Sequence, residues 1–213
     1  MDAELRMNDI YRHQRHIYDV TRPAFLFGRD SLLRRMRLRD GDRVLEVGCG
    51  TARNLLKLHA RHASLELFGL DASSEMLTTA RANLARRKLA SRVRLQHGLA
   101  QELSPQRTFG VPAFDVIFFS YALSMIPACT SSIDAALASL KPGGALYIVD
   151  FCDQAEFHPL LRKPLQAWLG LFGVAHRPEL YAHLEALAAS GVGELQSEAF
   201  VARYGVWLSF TKK

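Results

Sequence analysis

Two glycines separated by a single residue follow a short apolar run that contains a glutamate. They lie in residues 46–51, whose sequence is Glu-Val-Gly-Cys-Gly-Thr. Glycine at positions 48 and 50 permits positive φ angles and removes the β carbons that would keep a ligand away from the backbone. In an open parallel sheet, ligands bind beyond the carboxyl ends of the strands. We therefore expect a ligand to lie against Gly48 and Gly50.

The acidic residues near this turn indicate which kind of ligand it holds. A dinucleotide site continues as G-x-G-x-x-G and places a pyrophosphate on a helix N-terminus, but Arg53 occupies the third glycine position. Glu46 also disfavours a doubly negative group and suits a cationic one. Asp71 follows the turn by about twenty residues, where a carboxylate accepts hydrogen bonds from both hydroxyls of a ribose. These residues predict a site for a cationic nucleoside.

The elements that must position these residues alternate between strands and helices from residue 43 onward. β-branched and apolar runs predict strands over residues 43–47, 65–70, 92–97, 114–120 and 145–151. Apolar residues at spacings of three and four predict helices over residues 52–62, 74–88 and 133–140. The sequence Lys-Pro-Gly-Gly at residues 141–144 predicts a tight turn into the fifth strand. Two further strands, residues 194–199 and 204–210, predict a closing antiparallel hairpin. This alternation indicates an α/β fold in which helices connect parallel strands.

Longer stretches of the chain carry a resemblance to a known family. Residues 44–51 and 69–77, together with 98–100, 114–117 and 140–144, resemble the class I S-adenosylmethionine-dependent methyltransferases. The resemblance implies a single Rossmann-like domain with a seven-stranded, mostly parallel sheet, helices on both faces and an antiparallel hairpin at the C-terminal edge. It also implies that the cofactor is S-adenosylmethionine.

By that resemblance, the methionine part, the ribose and the adenine of the cofactor each contact their own residues. The methionine part contacts Glu46, Gly48 and Gly50, with the neighbouring Cys49 and Thr51, and the ribose contacts Asp71. The adenine contacts Ala72, Met76, Gly98, Leu99 and Ala100. Ser120 lies next to the methyl group. Many relatives carry an acidic residue where this chain has Leu99. A backbone contact must therefore replace the hydrogen bond of that side chain to the adenine.

The N-terminal residues resemble a narrower group of enzymes. Residues 10–22 and 26–30 are similar to the enzymes that methylate diacylglycerylhomoserine to a betaine lipid, although residues 23–25, Pro-Ala-Phe, depart from their pattern. This likeness implies N-methylation of a lipid head-group amine by direct displacement. Methylation of phosphatidylethanolamine or of a soluble amine is the alternative, and a non-catalytic cofactor sensor is a third.

The same likeness suggests residues for the acceptor. Removal of the amine proton is assigned to His16, Tyr18 or Tyr121, with bulk water as the alternative. Tyr11 offers an aromatic face to a quaternary ammonium group. Arg22 and Arg29 are candidates to bind a homoserine carboxylate. Simple lining of the pocket by Tyr121, and surface ion pairs for the two arginines, explain these residues equally well.

An apolar and aromatic segment, residues 157–172, follows the fifth strand and is flanked by Arg162, Lys163 and Arg177. Such a segment lies either in a membrane interface or over a bound acceptor as a buried helix. We expect residues 1–42 to form a helical cover over the binding site, 43–151 the cofactor-binding core, 152–192 a substrate-facing or membrane-facing helical insertion, and 193–213 the closing strands.

Charge and composition limit the remaining classes of partner. The net charge is +6, and seven basic residues between Arg81 and Arg107 are accompanied by Glu102 alone. This charge suits an anionic membrane, an acidic substrate or nucleic acid, or is a solvated helix face. Ser120-Tyr121-Ala122-Leu123 replaces the Asn/Asp-Pro-Pro-Tyr/Phe sequence that base-amine methyltransferases usually carry, so nucleic acid is not expected.

Location and metal binding are expectations from simpler features. The longest apolar stretch, residues 167–175, is shorter than the roughly 20 residues that cross a bilayer. No signal peptide is recognised, so we expect a cytoplasmic protein, with or without peripheral contact at the inner membrane surface. The three cysteines have no metal-ligand spacing, and no metal is expected.

Overall fold

The computed structural model describes residues 25–171 and 174–213, which form one seven-stranded sheet between two layers of helices. The strands are β1 (Arg43–Val47), β2 (Glu66–Asp71), β3 (Val93–His97), β4 (Phe114–Ser120), β5 (Leu140–Phe151), β6 (Gly193–Phe200) and β7 (Gly205–Lys212). Their order across the sheet is β3-β2-β1-β4-β5-β7-β6. The first five strands are parallel, and β7 runs antiparallel to β5 and β6. The predicted α/β fold with a closing hairpin is confirmed.

Helices cover both faces of this sheet. They are α1 (Arg29–Arg35), α2 (Arg53–Arg61), α3 (Ser74–Arg86), α4 (Pro105–Phe109), α5 (Cys129–Ser139), α6 (Pro159–Gly170) and α7 (Pro178–Ala189), with a 3-10 turn at Ala100–Glu102. Within the described residues, no helix has the length and apolarity that a membrane span requires.

Successive strand residues enter two separate hydrophobic cores, one on each side of the sheet. In β4, Phe118 packs in the core shared with α1, α2 and α3, whereas Ile117 and Phe119 pack in the core shared with α5 and α7. Because both faces are covered, the central strands are apolar at nearly every position instead of alternating with polar residues.

The chain changes direction across the sheet between β1 and β4. From β1 the chain builds β2 and β3 on one side, then returns to place β4 on the other side of β1. A crevice therefore opens beyond the carboxyl ends of these strands, where open α/β sheets bind their ligands. Gly48, Asp71 and Ser120 lie at or just after the ends of β1, β2 and β4.

The tight turn predicted over residues 141–144 is instead a bulge inside β5. Pairing of β5 with β4 already begins at Leu140 and resumes at Ala145, so the intervening residues bulge out of the ladder. Gly143 adopts a φ of 74°, which favours glycine. The Pro-Gly-Gly sequence therefore marks an irregularity of the strand and not its beginning.

Three helices differ from the sequence-based prediction. α5 begins at Cys129, four residues before the predicted start at residue 133, because its first turn is polar and lacks apolar periodicity. α4 was not predicted as a helix, and α7 was predicted only as part of a helical insertion over residues 152–192, without bounds of its own. Each has a proline in its first turn, Pro105 and Pro178, which is a helix-start signal.

α7 belongs to the protein core. Its Leu180 and Leu184 are buried in the same core as α5, and the helix contacts β6. The part of the predicted insertion over residues 152–192 that forms α7 therefore packs in the core. Within that insertion, the stretch around α6 is the candidate for facing a substrate or a membrane.

The described part of the predicted N-terminal cover is residues 25–42. Its α1 packs on the sheet face beside α2, and Arg35 forms an ion pair with Glu198 of β6 at 2.6 Å. Just before α1, Leu26 lines the crevice at the carboxyl ends of the strands. The remainder of the predicted cover, residues 1–24, lies outside the described residues.

The assignment of α7 to the core generates a stability prediction. Leu184→Ala should lower the free energy of unfolding by about 2–5 kcal/mol, because the side chain is fully buried and leaves a cavity. Leu161→Ala on the exposed side of α6 is the matched control and should change it by less than about 0.5 kcal/mol. Urea denaturation followed by circular dichroism measures both values. Equal effects of the two substitutions would contradict the assignment.

Candidate active site

The turn after β1 is fixed by backbone hydrogen bonds to the end of β2. The amides of Gly48 and Cys49 both donate to the carbonyl oxygen of Leu70, at 2.8 and 3.1 Å. Gly48 has a φ of 73° and Gly50 a φ of 52°. A β carbon on Gly48 would lie 2.6 Å from the β carbon of Ala122, so no other residue fits without displacing its neighbour. The bare backbone of the turn lines a cleft.

The other two residues of the turn, Cys49 and Thr51, also line the cleft. The Cys49 thiol is buried against Gly69, whose added β carbon would lie 2.8 Å from Sγ. Burial raises the pKa of this thiol well above its usual value, so Cys49 is a neutral packing residue on that side. The carbonyl oxygen of Thr51 accepts a hydrogen bond from Asn83 of α3 at 3.0 Å, which ties the turn to the next helix.

The carboxylate of Asp71 connects the turn to the start of α3. Its Oδ2 accepts the amide hydrogen of Gly50 at 2.7 Å, and its Oδ1 accepts that of Ser73 at 2.9 Å. Ser73 in turn caps α3, because its hydroxyl accepts the amide hydrogen of Met76 at 3.3 Å. Asp71 is buried and lines the cleft. One carboxylate therefore positions the segments that follow both β1 and β2.

Glu46 offers a buried carboxyl oxygen to the same cleft. Its Oε1 accepts a hydrogen bond from Asn54 of α2 at 2.7 Å, whereas its Oε2 is buried and no described residue donates to it. Burial raises the pKa of Glu46 to about 8, and the Asn54 hydrogen bond and the charge of Arg29 oppose this shift. An unpartnered oxygen of this kind is a ready acceptor for a cationic or hydrogen-donating ligand.

Arg29 brings a positive charge to the same end of the cleft. Its side chain is buried, lines the cleft and acts on the charge of Glu46. It was predicted as an acceptor-binding residue from the N-terminal likeness. The structure places it beside Glu46, so a cation and a carboxyl group lie together at one end.

The opposite half of the cleft is mostly apolar. The predicted adenine-binding residues line it together, and these are Ala72, Met76, Gly98, Leu99 and Ala100. The amide of Gly98 donates to the carbonyl oxygen of Asp71 at 3.0 Å, which fixes the end of β3 beside that of β2. Because residue 99 is a leucine, its side chain brings no carboxylate to this half of the cleft.

Tyr121 lines the cleft, and its hydroxyl is already engaged in a hydrogen bond. Its hydroxyl donates to the carbonyl oxygen of Phe27, and its ring packs edge-on against Phe151 with centroids 4.7 Å apart. Burial raises the pKa of this hydroxyl further above its ordinary value. Tyr121 is therefore a lining residue of the cleft in this structure, and its role in removing a proton stays a prediction. The neighbouring Ser120 also lines the cleft, and its buried hydroxyl has no partner among the described residues.

Comparison with known proteins identifies the family. Residues 38–188 match a protein family described as "Methyltransferase domain", which is more than half of the chain. The chain belongs to this methyltransferase family. The predicted cofactor of the methyltransferase, S-adenosylmethionine, is confirmed at the level of the family. The cleft fits that cofactor, because the glycine turn leaves room for a ligand and the unpartnered oxygen of Glu46 can accept from a positive group.

Individual relatives are more distant. The methyltransferase is 31% identical over 191 residues to trans-aconitate 2-methyltransferase of Methylobacterium nodulans, covering 89% of this chain and 62% of that protein. It is 30% identical over 147 residues to demethylmenaquinone methyltransferase of a Geobacillus species, covering 68% of this chain and 56% of that protein. The chain thus spans roughly three fifths of the length of these curated relatives.

A solved structure shares the fold. Phosphoethanolamine N-methyltransferase 2 of Haemonchus contortus superposes with a TM-score of 0.71 at 15% identity, covering 86% of this chain and 52% of that one. The names of these three proteins give three different acceptors. The comparisons therefore show a methyltransferase family and leave the acceptor open.

Four of the predicted acceptor residues, Tyr11, His16, Tyr18 and Arg22, lie outside the described residues. Their roles stay predictions. The structure brings together the twelve residues predicted for the cofactor, since all of them line the one cleft.

The cleft of the methyltransferase also contains residues that were not predicted. Asn54 holds Glu46 in place, and its position in the first turn of α2, facing back toward β1, was an available signal. The loop after β4, residues 125–128, lines the cleft with Met-Ile-Pro-Ala. Only the position of this loop in the fold could have indicated its role. It follows the carboxyl end of β4, next to the point where the chain changes direction across the sheet, and loops at that point line the binding crevice.

The raised pKa of Glu46 generates a prediction about stability and pH. A carboxyl group whose pKa is higher in the folded than in the unfolded state binds more protons when folded. Its contribution to stability is therefore lost as pH rises from about 4.5 toward 8. The free energy of unfolding of the wild type should fall across this range, at up to about 1.4 kcal/mol per pH unit from this group.

Glu46→Gln should remove this part of the slope, because glutamine keeps an oxygen for Asn54 and does not ionise. Urea denaturation of both proteins at a series of pH values measures the difference. Parallel curves for the two proteins would show that Glu46 ionises freely in the folded state.

Proposed function

We propose that this methyltransferase holds the amino-acid end of S-adenosylmethionine between Glu46 and Arg29 and the ribose at Asp71. The observation that carries the proposal is that Glu46 lines the cleft and that its buried Oε2 has no partner among the described residues. The methionine part of the cofactor bears both an ammonium and a carboxylate. A carboxyl group and a guanidinium at one end of the cleft match these two charges. We therefore reassign Arg29 from the acceptor to the cofactor.

The remaining cofactor contacts follow from the same orientation. Asp71 uses its backbone-bonded oxygens to accept the two ribose hydroxyls as well, since each carboxylate oxygen has more than one acceptor site. The apolar half of the cleft then faces the adenine, with Met76 on one side and Leu99 on the other. Gly48 and Gly50 allow the backbone to approach the sulfur-bearing chain.

We propose the amine of a lipid head group as the methyl acceptor. Support comes from the apolar part of the cleft wall that Leu26 and the loop of residues 125–128 form. Phe25, which precedes Leu26, contacts Trp168 of the exposed apolar helix α6, with ring centroids 4.9 Å apart. An acceptor with acyl chains would find apolar contacts there. The N-terminal likeness to diacylglycerylhomoserine methyltransferases points to the same class of acceptor.

Catalysis in this proposal rests on alignment and exclusion of water. The bound cofactor supplies an electrophilic methyl carbon on a positively charged sulfur. The protein must hold the acceptor nitrogen in line with that carbon and keep water out, which accounts for most of the rate enhancement in such displacements. Tyr121 shapes the pocket. The amine loses its proton to water or to His16, Tyr18 or Tyr121, as predicted from the sequence.

A carboxylate acceptor is the second candidate. The match to trans-aconitate 2-methyltransferase covers 89% of this chain at 31% identity. A carboxylate is already deprotonated at neutral pH, so its methylation needs no base. This suits a pocket in which the Tyr121 hydroxyl already donates to a carbonyl oxygen.

Cofactor binding is tested by substitution of Asp71. Asp71→Ala should weaken binding of S-adenosylhomocysteine about a hundredfold in titration calorimetry, because two hydrogen bonds to a charged group are lost. The affinity of Asp71→Asn, which keeps one carbonyl oxygen, should lie between those of the wild type and of Asp71→Ala. The matched control is Asp134→Ala in α5, which removes an exposed carboxylate paired with His183 away from the cleft. Wild-type affinity of a folded Asp71→Ala protein would refute the ribose assignment.

The acceptor is tested with isotope-labelled S-adenosylmethionine. The purified protein is incubated separately with diacylglycerylhomoserine, phosphatidylethanolamine, homoserine, trans-aconitate and demethylmenaquinone, and the products are measured by mass spectrometry. We expect label in the N-methyl groups of a lipid. Label in trans-aconitate alone would establish the second candidate, and label in homoserine but in neither lipid would show that the acyl chains play no part.

A further inference from the structure

The helix α6 is apolar on the side that faces away from the protein core. On its inner side Leu169 is only 3% exposed, whereas on its outer side Leu160 is 77% exposed and Leu171 is 74% exposed. Each residue of a helix turns by about 100°, so Leu160, Pro164, Trp168 and Leu171 share one face. A helix that is apolar on both sides has a second apolar environment besides the protein core.

The charged residues of α6 have one sign. Residues 157–178 contain no aspartate or glutamate, and the exposed Lys163 lies at the edge of the outer face. The whole chain carries a net charge of +6. An apolar face bordered by a cation, on a protein of net positive charge, matches the acyl boundary and the anionic head groups of a membrane. It matches a second copy of the chain less well, because two chains of the same net charge repel each other.

The C-terminal end of α6 connects to the cleft at two points. Near its C-terminal end, the ring of Trp168 contacts Phe25, and the next residue, Leu26, lines the cleft. After the helix, the amide of Ala175 donates to the carbonyl oxygen of Ser124 at 3.1 Å, immediately before the cleft-lining loop that begins at Met125. A surface bound by α6 therefore lies next to segments that line the cleft.

We propose that α6 docks the protein on an anionic membrane surface, with its outer face in the interface and Lys163 among the lipid phosphates. The helix has 12 residues, or about 18 Å, and the hydrocarbon core is about 30 Å thick. It therefore lies along the interface and does not cross it. The inference deepens the proposed function, because it brings lipid head groups to the cleft, and it rests on that function only for the identity of the acceptor.

The test is sedimentation of the full chain with lipid vesicles at low ionic strength. The wild type should bind vesicles of phosphatidylcholine mixed with phosphatidylglycerol and bind phosphatidylcholine alone much more weakly. The double substitution Leu160→Glu/Leu171→Glu should weaken binding to the mixed vesicles at least about tenfold, since two apolar contacts are lost and two repulsive charges are added. Lys163→Glu should weaken it by at least about fivefold.

The matched control is Val192→Glu, which adds one negative charge at an exposed apolar residue before β6 and should leave binding nearly unchanged. Circular dichroism and thermal melting verify that every variant is folded. The proposal is overturned if the wild type does not bind the mixed vesicles, or if the double variant binds them as well as the wild type does.

Other occupants of the face give distinct results. A wild-type dimer in sedimentation velocity that the double variant dissociates, without vesicle binding, would assign the face to a second copy and overturn the proposal. Vesicle binding without label in any lipid would leave the docking in place and reject the lipid acceptor. Methylation of a short-chain lipid in solution by a protein that binds no vesicle would reject the docking and support the lipid acceptor.

Discussion

The cleft depends on how closely the turn after β1 approaches the end of β2. That approach is possible because Gly48 has no side chain to meet Ala122, and because the backbone of the turn donates to Leu70. Asp71 then accepts the amide hydrogen of Gly50 as well as that of Ser73. Since one carboxylate holds both strand ends, the glycine turn and the start of α3 cannot move independently. The ligand contacts that we propose all start from this junction.

Glu46 shows that part of this site is arranged for a ligand and not for the stability of the protein alone. A carboxyl group in a buried position with one unpartnered oxygen disfavours the folded state, and its raised pKa reflects the loss of water. Asn54 and Arg29 only partly compensate. A bound ammonium group supplies the missing partner and favours the ionised form. Cofactor binding and the ionisation of Glu46 are therefore coupled.

Much of the fold could be predicted from the sequence because the central strands are short, apolar and regularly spaced. Glu46 and Asp71 could be placed at neighbouring strand ends for the same reason, since each closes or nearly closes an apolar run. The helix α7 could not be recognised as core, because its alanines make several of its sides apolar and its buried side does not stand out. The bulge in β5 depends on pairing with β4, which the local Lys-Pro-Gly-Gly sequence does not encode.

The roles of side chains were harder to predict than their positions. Tyr121 has a φ of 55°, and its hydroxyl reaches a carbonyl group 94 residues earlier in the chain. Neither property can be read from the residues around it. Arg29 was predicted for the acceptor, and only the tertiary structure shows it next to Glu46. Sequence patterns predicted which residues meet, and the surrounding contacts decide which chemistry each one can perform.

A crystal structure of the protein with S-adenosylhomocysteine tests the central claim most directly. Our account predicts that the α-ammonium group lies within hydrogen-bond distance of Glu46 Oε2, about 2.7–3.2 Å, and that both ribose hydroxyls contact Asp71. A ligand bound in the reverse orientation, with its adenine at Glu46 and its amino-acid end at Met76 and Leu99, would contradict it.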